Sequence, residues 1–141
     1  MAFSHGKVAV LKIDNAAGAL VDISAISNAA DLANQTGTGE TTSFGSASKT
    51  FIAGLKDGTF SIGGSYDNVQ DAMISAMMDA VAAGTLAFCS VEYYPSGVGT
   101  GKVKYALETI PTSYTISTPV GGVSTFKLDL QRSGNLTQTV Q

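Results

Sequence analysis

The sequence predicts a mainly β protein: an antiparallel β-sandwich or open barrel with one α-helix over about residues 68–83 and a long loop over about residues 27–50. Three observations predict it. The first is composition, 44% apolar and only 13% charged, where an ordinary soluble domain carries about 25% charged residues. Thirty Ser and Thr together, with 16 Gly, supply the missing polarity, and that mix favours strands and turns over long solvated helices. The second is strict apolar–polar alternation in several short runs, the mark of an antiparallel sheet with one wet face. The third is that a single segment carries a helical period, and it is capped. The 141 residues have the length of one domain, 1–141 with short polar termini, and such a chain can bury most of its apolar surface in one core.

In order, KVAVLKI at Lys7–Ile13 reads as a strand stopped by Asp14-Asn15 and Gly18, and Leu20–Ile26 as a second extended run. From Ser27 the pattern fades into Asn, Gly, Ser and Thr, which reads as a functional or disordered loop. Phe44, Phe51, Ile52 and Leu55 interrupt the polar stretch Thr41–Gly58, and nothing within it can cover them. Phe60 and Ile62 mark another strand, released by Gly63-Gly64. The helix Asn68–Ala83 starts at Asp67, an N-cap with Gln70 three residues on, a capping-box spacing. Its predicted core stripe includes Val69, Met73, Met77 and Val81, with Ala72, Ala76 and Ala80 between them. Asp71, Ser75 and Asp79 fall opposite, while Ile74 and Met78 widen the stripe. Gly84 stands where helices end in a left-handed residue. Strands follow at Leu86–Tyr94, Lys102–Ile110, Ser113–Thr118 and Val123–Leu130, and the tail SGNLTQTVQ is polar enough to need a neighbour for order.

Several function classes are excluded or weakened. Net charge is −3 and no stretch concentrates Lys or Arg, so a duplex-gripping patch is not predicted. His5 and Cys89 are the only His and Cys, too few for a usual zinc site or an intrachain disulfide. A Ser/His/Asp or Cys/His site would depend on His5, close to the terminus. GSASKT at Gly45–Thr50 lacks the glycines of a phosphate loop, with Ser43 and Ser48 in their places. SGVGTGK at Ser96–Lys102 fits a hairpin turn, not a dinucleotide site. No catalytic, cofactor-binding or metal-binding residues are assigned, and no enzyme activity is expected. Asp14 interrupts any secretory apolar core near the N-terminus, and no apolar run approaches the roughly 20 residues of a membrane span. The expectation is a chain made in a cytoplasm. Its weakly charged, hydroxyl-rich surface resists association less than a charged one would.

One stretch resembles a known family. Glu40-Thr41-Thr42-Ser43-Phe44-Gly45, then Lys49 to Gly58 (KTFIAGLKDG), then Phe60 to Asp67 (FSIGGSYD) is similar to the segment before the single helix in major tail tube proteins of long, non-contractile-tailed bacteriophages. GKVKY at Gly101–Tyr105, Ser113-Tyr114 and the closing hairpin extend the likeness over nearly the whole chain; Ser43, Phe51 and Gly63 depart mildly from the family pattern. The resemblance implies a β-sandwich with one helix whose subunits form stacked hexameric rings, a virion tail tube through which the genome leaves. It implies that the long loop reaches neighbouring subunits, with Glu40, Thr42, Phe44, Lys49, Thr50, Phe51 and Lys56 as contact residues. It also implies tape-measure, tail-terminator and distal-tail proteins as partners, no membrane, no cofactor, and DNA that passes through the lumen without specific binding. Two other classes stay open: a head-decoration or other virion β domain, and a carbohydrate-binding module using Tyr93-Tyr94.

Overall fold

The computed structural model describes residues 3–141. After a 3-10 turn at Gly6–Val8 come strands β1 (Val10–Asp14), β2 (Leu20–Asp22), β3 (Ser27–Glu40) and β4 (Phe51–Ser65). Helix α1 (Asn68–Ala83) follows, then β5 (Cys89–Tyr94), β6 (Val103–Ser117) and β7 (Thr125–Val140). The seven strands form one sheet in the order β2-β1-β5-β6-β7-β4-β3, every pair antiparallel.

That sheet is curled. β4 and β5 lie three positions apart, which is about 14 Å along a flat sheet. Yet the rings of Phe60 on β4 and Tyr93 on β5 meet edge-on with centroids 5.4 Å apart. A hydrophobic cluster fills the inside of the curl, with Leu11, Ile13, Phe60, Ile62, Val91, Leu107, Phe126, Leu128 and Leu130 from the strands. Ile74 and Met77 from α1 complete it. The predicted mainly β class with one helix is therefore the fold, in the form of a single curled sheet closer to an open barrel than to two separate layers.

The helix runs over the predicted residues. Asp67 is extended and its carboxylate accepts from the Gln70 backbone N–H, while Gly84 ends the helix at φ 81°. The return half of the capping box does not form, because the Gln70 side-chain carbonyl is buried without a partner. The core stripe is also rotated from the predicted one. Ile74, Met77 and Ala80 are buried and Met73, Met78 and Val81 pack beside them, but Val69 is 73% exposed and Ala72 and Ala76 are exposed too. Asp71, assigned to the wet face, instead accepts from the hydroxyls of Tyr114 (2.9 Å) and Tyr66 (3.2 Å). The Tyr114 bond anchors the start of α1 to β6, and the Tyr66 bond ties it to the link from β4.

Four further expectations change. The predicted loop over residues 27–50 is mostly strand: β3 pairs with β4 from Ser27 to Glu40, and only residues 41–50 turn. Pairing with β4 supplies the backbone hydrogen bonds that a sequence poor in β-formers does not advertise. The runs at Lys102–Ile110 and Ser113–Thr118 are one strand, β6, bent by a register shift at Pro111. The tail needs no neighbour for order, since β7 continues to Val140 and pairs with Val103–Ala106. At the other end, Lys7 lies in the 3-10 turn, whose cap is the His5 imidazole accepting from the Lys7 N–H, so β1 begins only at Val10.

Candidate self-assembly surface

β3 and β4 are longer than the body they belong to. Pairing between β4 and β7 ends at Thr59–Gln131, whereas β3 and β4 stay paired to Glu40–Phe51. Beyond the branch point, residues 35–57 are exposed on every side. The result is a two-stranded arm leaving the body, roughly 20 Å long from six residues per strand at about 3.3 Å each. An isolated two-stranded ribbon is marginal in water without a third strand or a packed face.

Several bonds hold the branch point. At Gly58 any side chain would collide with the Ala33 carbonyl oxygen, so the strands approach closely there. The Gln131 amide donates to the Asp57 carboxylate (2.8 Å) and to the Gly58 carbonyl (3.0 Å). Arg132, buried in the angle between arm and sheet, donates to the Asn34 side-chain oxygen at 3.1 Å. β7 thus grips one residue of β3 and two of β4 just where the arm departs. The sequence reading missed this set. The available signal was that Arg132 follows Leu128 and Leu130 at the same inward period, a lone charge in phase with the core face.

The arm places the predicted contact residues as follows. Glu40 and Phe51 are opposite each other at its far end. Thr41 bonds Thr50 through backbone and hydroxyl, and the Thr42 hydroxyl accepts from the Thr50 N–H at 3.0 Å. Phe44 and Gly45 form the outermost turn, closed by Ser46 N–H to the Ser43 carbonyl, with Gly45 at φ 82°. That corner leaves the Phe44 ring fully exposed, and Lys49 is exposed in the same turn. Lys56 is not part of this group: it pairs with Thr36 nearer the base. Leu55 is 89% exposed, and Phe51 and Ile52 are more than half exposed. A register shift between Thr36 and Thr38 sets two β4 residues, Gly54 and Leu55, against Gly37 alone. Residues directly opposite share a face, so the shift puts Phe51 on the side continuous with the core and Ile52 on the other. Both faces of the arm are therefore apolar and uncovered, and such patches mark contact surfaces.

Two of the body's lysines have carboxylate partners, Lys104 and Lys127. Lys104 reaches Glu92 at 2.9 Å, which raises the lysine pKa and lowers that of the glutamate. Lys12 and Lys104 both sit over the Tyr94 ring, 5.5 and 5.7 Å from its centre. Tyr94 is buried and donates to Glu92, and Tyr93 packs on Phe60, so the pair forms no open platform for a sugar ring. Among the described residues no group of three or more His, Cys, Asp or Glu could hold a metal ion, and no helix is long and apolar enough to cross a membrane.

No family model matches the chain, and no curated protein does. Solved structures do match. A chain from the tail of an empty gene transfer agent particle with C6 symmetry superposes with a TM-score of 0.76 at 18% identity, covering 98% of this chain and 100% of that one. A chain of the SPP1 tail tube gives 0.71 at 10% identity, over 99% and 80% of the two chains. A chain of the sheath–tube complex of an extracellular contractile injection system gives 0.69 at 9% identity, over 99% and 93%. Over essentially its whole length, then, the chain has the fold of chains found in phage-type tails and contractile injection systems.

Proposed function

We propose that this chain is a structural virion protein that assembles into stacked hexameric rings, forming a tail tube through which a genome leaves the particle. The observation that carries the proposal is the arm, whose Phe44, Phe51, Ile52 and Leu55 nothing in their own subunit covers. A monomer leaves apolar residues on both faces of a ribbon uncovered only if another surface covers them later. The tail and tube assemblies in which the same fold occurs, one of them with C6 symmetry, support a second copy of this chain as that surface. β3 is also a sheet edge with a row of unpaired backbone groups, which favours further association. In this reading Glu40, Thr42, Phe44, Lys49, Thr50 and Phe51 make inter-subunit contacts, and Lys56 does so nearer the base. Tape-measure, terminator and distal-tail proteins are its expected partners, and DNA passes through without specific contacts.

Negative-stain microscopy of the purified protein tests the proposal. Rings or tubes of uniform width are the expected result. Monomers at every concentration, or particles that form only on a capsid or in the presence of a sugar, would replace it with a decoration or carbohydrate-binding role.

A further inference from the structure

The outer face of the sheet carries a groove of about 270 Å³ where β3, β4 and β7 run side by side. It exists because Gly63 has no side chain: Ala29 flanks it on β3, and Thr125 and Lys127 on β7. Its floor is the backbone at Ile62 and Phe126, whose side chains turn into the core, and its rim mixes Ala29 with Asn28, Ser61 and Thr125. Two charges border it. Lys127 is exposed and 4.0 Å from Asp129, a carboxylate already bonded by Ser61 at 2.8 Å. Asp31 lies on the β3 side, and no cation pairs with it among the described residues.

The geometry points to this groove as the seat for the arm tip of a second copy, with the Phe44 ring in the cleft over Gly63. The inference rests on the self-assembly reading and adds the site of contact. Size fits, since a cavity of about 150 Å³ already admits benzene. Charge fits as well. The tip carries Glu40 at the end of β3 and Lys49 in the turn, with Phe44 between them along the chain, and neither charge has an ion-pair partner among the described residues. Seated in the groove, Lys49 faces the unpaired Asp31 and Glu40 faces Lys127, whose own contact with Asp129 is a long 4.0 Å, so charges of opposite sign meet. An exposed aromatic entering a fitted cleft is also how interfaces concentrate their binding energy. A chain cannot fill its own groove this way, because the arm runs outward along β4, away from residue 63.

Gly63 makes the test clean. A Cβ there would meet only Ala29 Cβ and the Phe126 carbonyl, both at 3.8 Å, an ordinary contact. Gly63→Ala is therefore tolerated by the fold and serves as the control, and Gly63→Leu carries the same Cβ out into the groove and fills it. With wild-type protein forming tubes, Gly63→Leu is expected to keep the monomer's melting temperature and slow tube formation ~10-fold or more, the cost of losing an anchor worth at least about 1.4 kcal/mol. A second measurement does not depend on how that variant folds. Tubes of Ser43→Cys/Thr125→Cys protein treated with a short bis-maleimide should give ladders of cross-linked chains, while Ser43→Cys alone gives none; buried Cys89 takes no part. Normal tubes from Gly63→Leu, or tubes of the double-cysteine protein without ladders, would overturn the groove assignment and leave the tube reading standing. Wild-type protein that never forms rings or tubes would remove both.

Discussion

The Cys89 thiol is completely buried beside the core, and burial pushes its pKa up to about 11 from an ordinary 9.0. The folded chain therefore favours the protonated thiol, while the unfolded chain can ionise it from pH 9 upward. Stability from this group is complete below pH 9 and is lost as pH rises toward about 11. The melting temperature is expected to drop across that window in the wild type and to drop less in Cys89→Ala; identical profiles would mean that the thiol does not couple to folding. On the helix, Met77 and Val69 were equivalent in the sequence and are opposite in the structure. Met77→Asp buries an unpaired carboxylate and should cost several kcal/mol, enough to unfold a domain of ordinary stability. Val69→Asp, near the helix N-terminus and in water, should change stability by less than about 0.5 kcal/mol. Urea melts of the two variants check the rotation of the stripe directly, and equal losses would contradict it.

At the scale of elements, legibility followed the strength of the local signal. The helix could be read from residue to residue because Asp67 and Gly84 fix both ends. Its rotation could not, because Ala, Met, Val and Ile surround it on nearly every side and only the sheet decides which face is dry. β7 was legible as far as Leu130, where alternation is strict, and lost after Ser133-Gly134-Asn135, where a shift of register and polar residues hide a strand held by its pairing with β6. The same reason hid β3. Its role as one side of an arm came from β4, a partner that no single segment could announce. The uncovered state of Phe44, Phe51, Ile52 and Leu55 was legible, since large apolar side chains in a polar run ask for a cover. Because the arm is a paired hairpin, proteolysis of the free subunit should cut within the turn, residues 41–50, and spare the paired strands. Assembled protein should resist cutting there. Phe44→Ala should leave the monomer's melting temperature unchanged and impair assembly; equal cleavage of free and assembled protein would take the arm out of the interface.

At the scale of the molecule, net charge is −3, and on the β5–β6 surface Lys104 is balanced by Glu92. A conduit must let a polyanion slide, and every unopposed lysine–phosphate contact would hold it through counterion release. Tubes are therefore expected to bind DNA weakly at physiological salt, with a shallow dependence on ionic strength. Tight binding that weakens steeply as salt rises would contradict a neutral to acidic lumen. The arm has one more consequence. On the self-assembly reading, an arm received head-to-tail by the next subunit joins unlike patches, the kind of contact that propagates along a filament, whereas a reciprocal exchange of arms would stop at a pair. A polymer built that way has direction: one end shows free arms and the other shows vacant receptors. A subunit shortened by its arm would still be received at one end but could not reach onward, and traces of it would act as a chain stopper, setting tube length by its mole fraction.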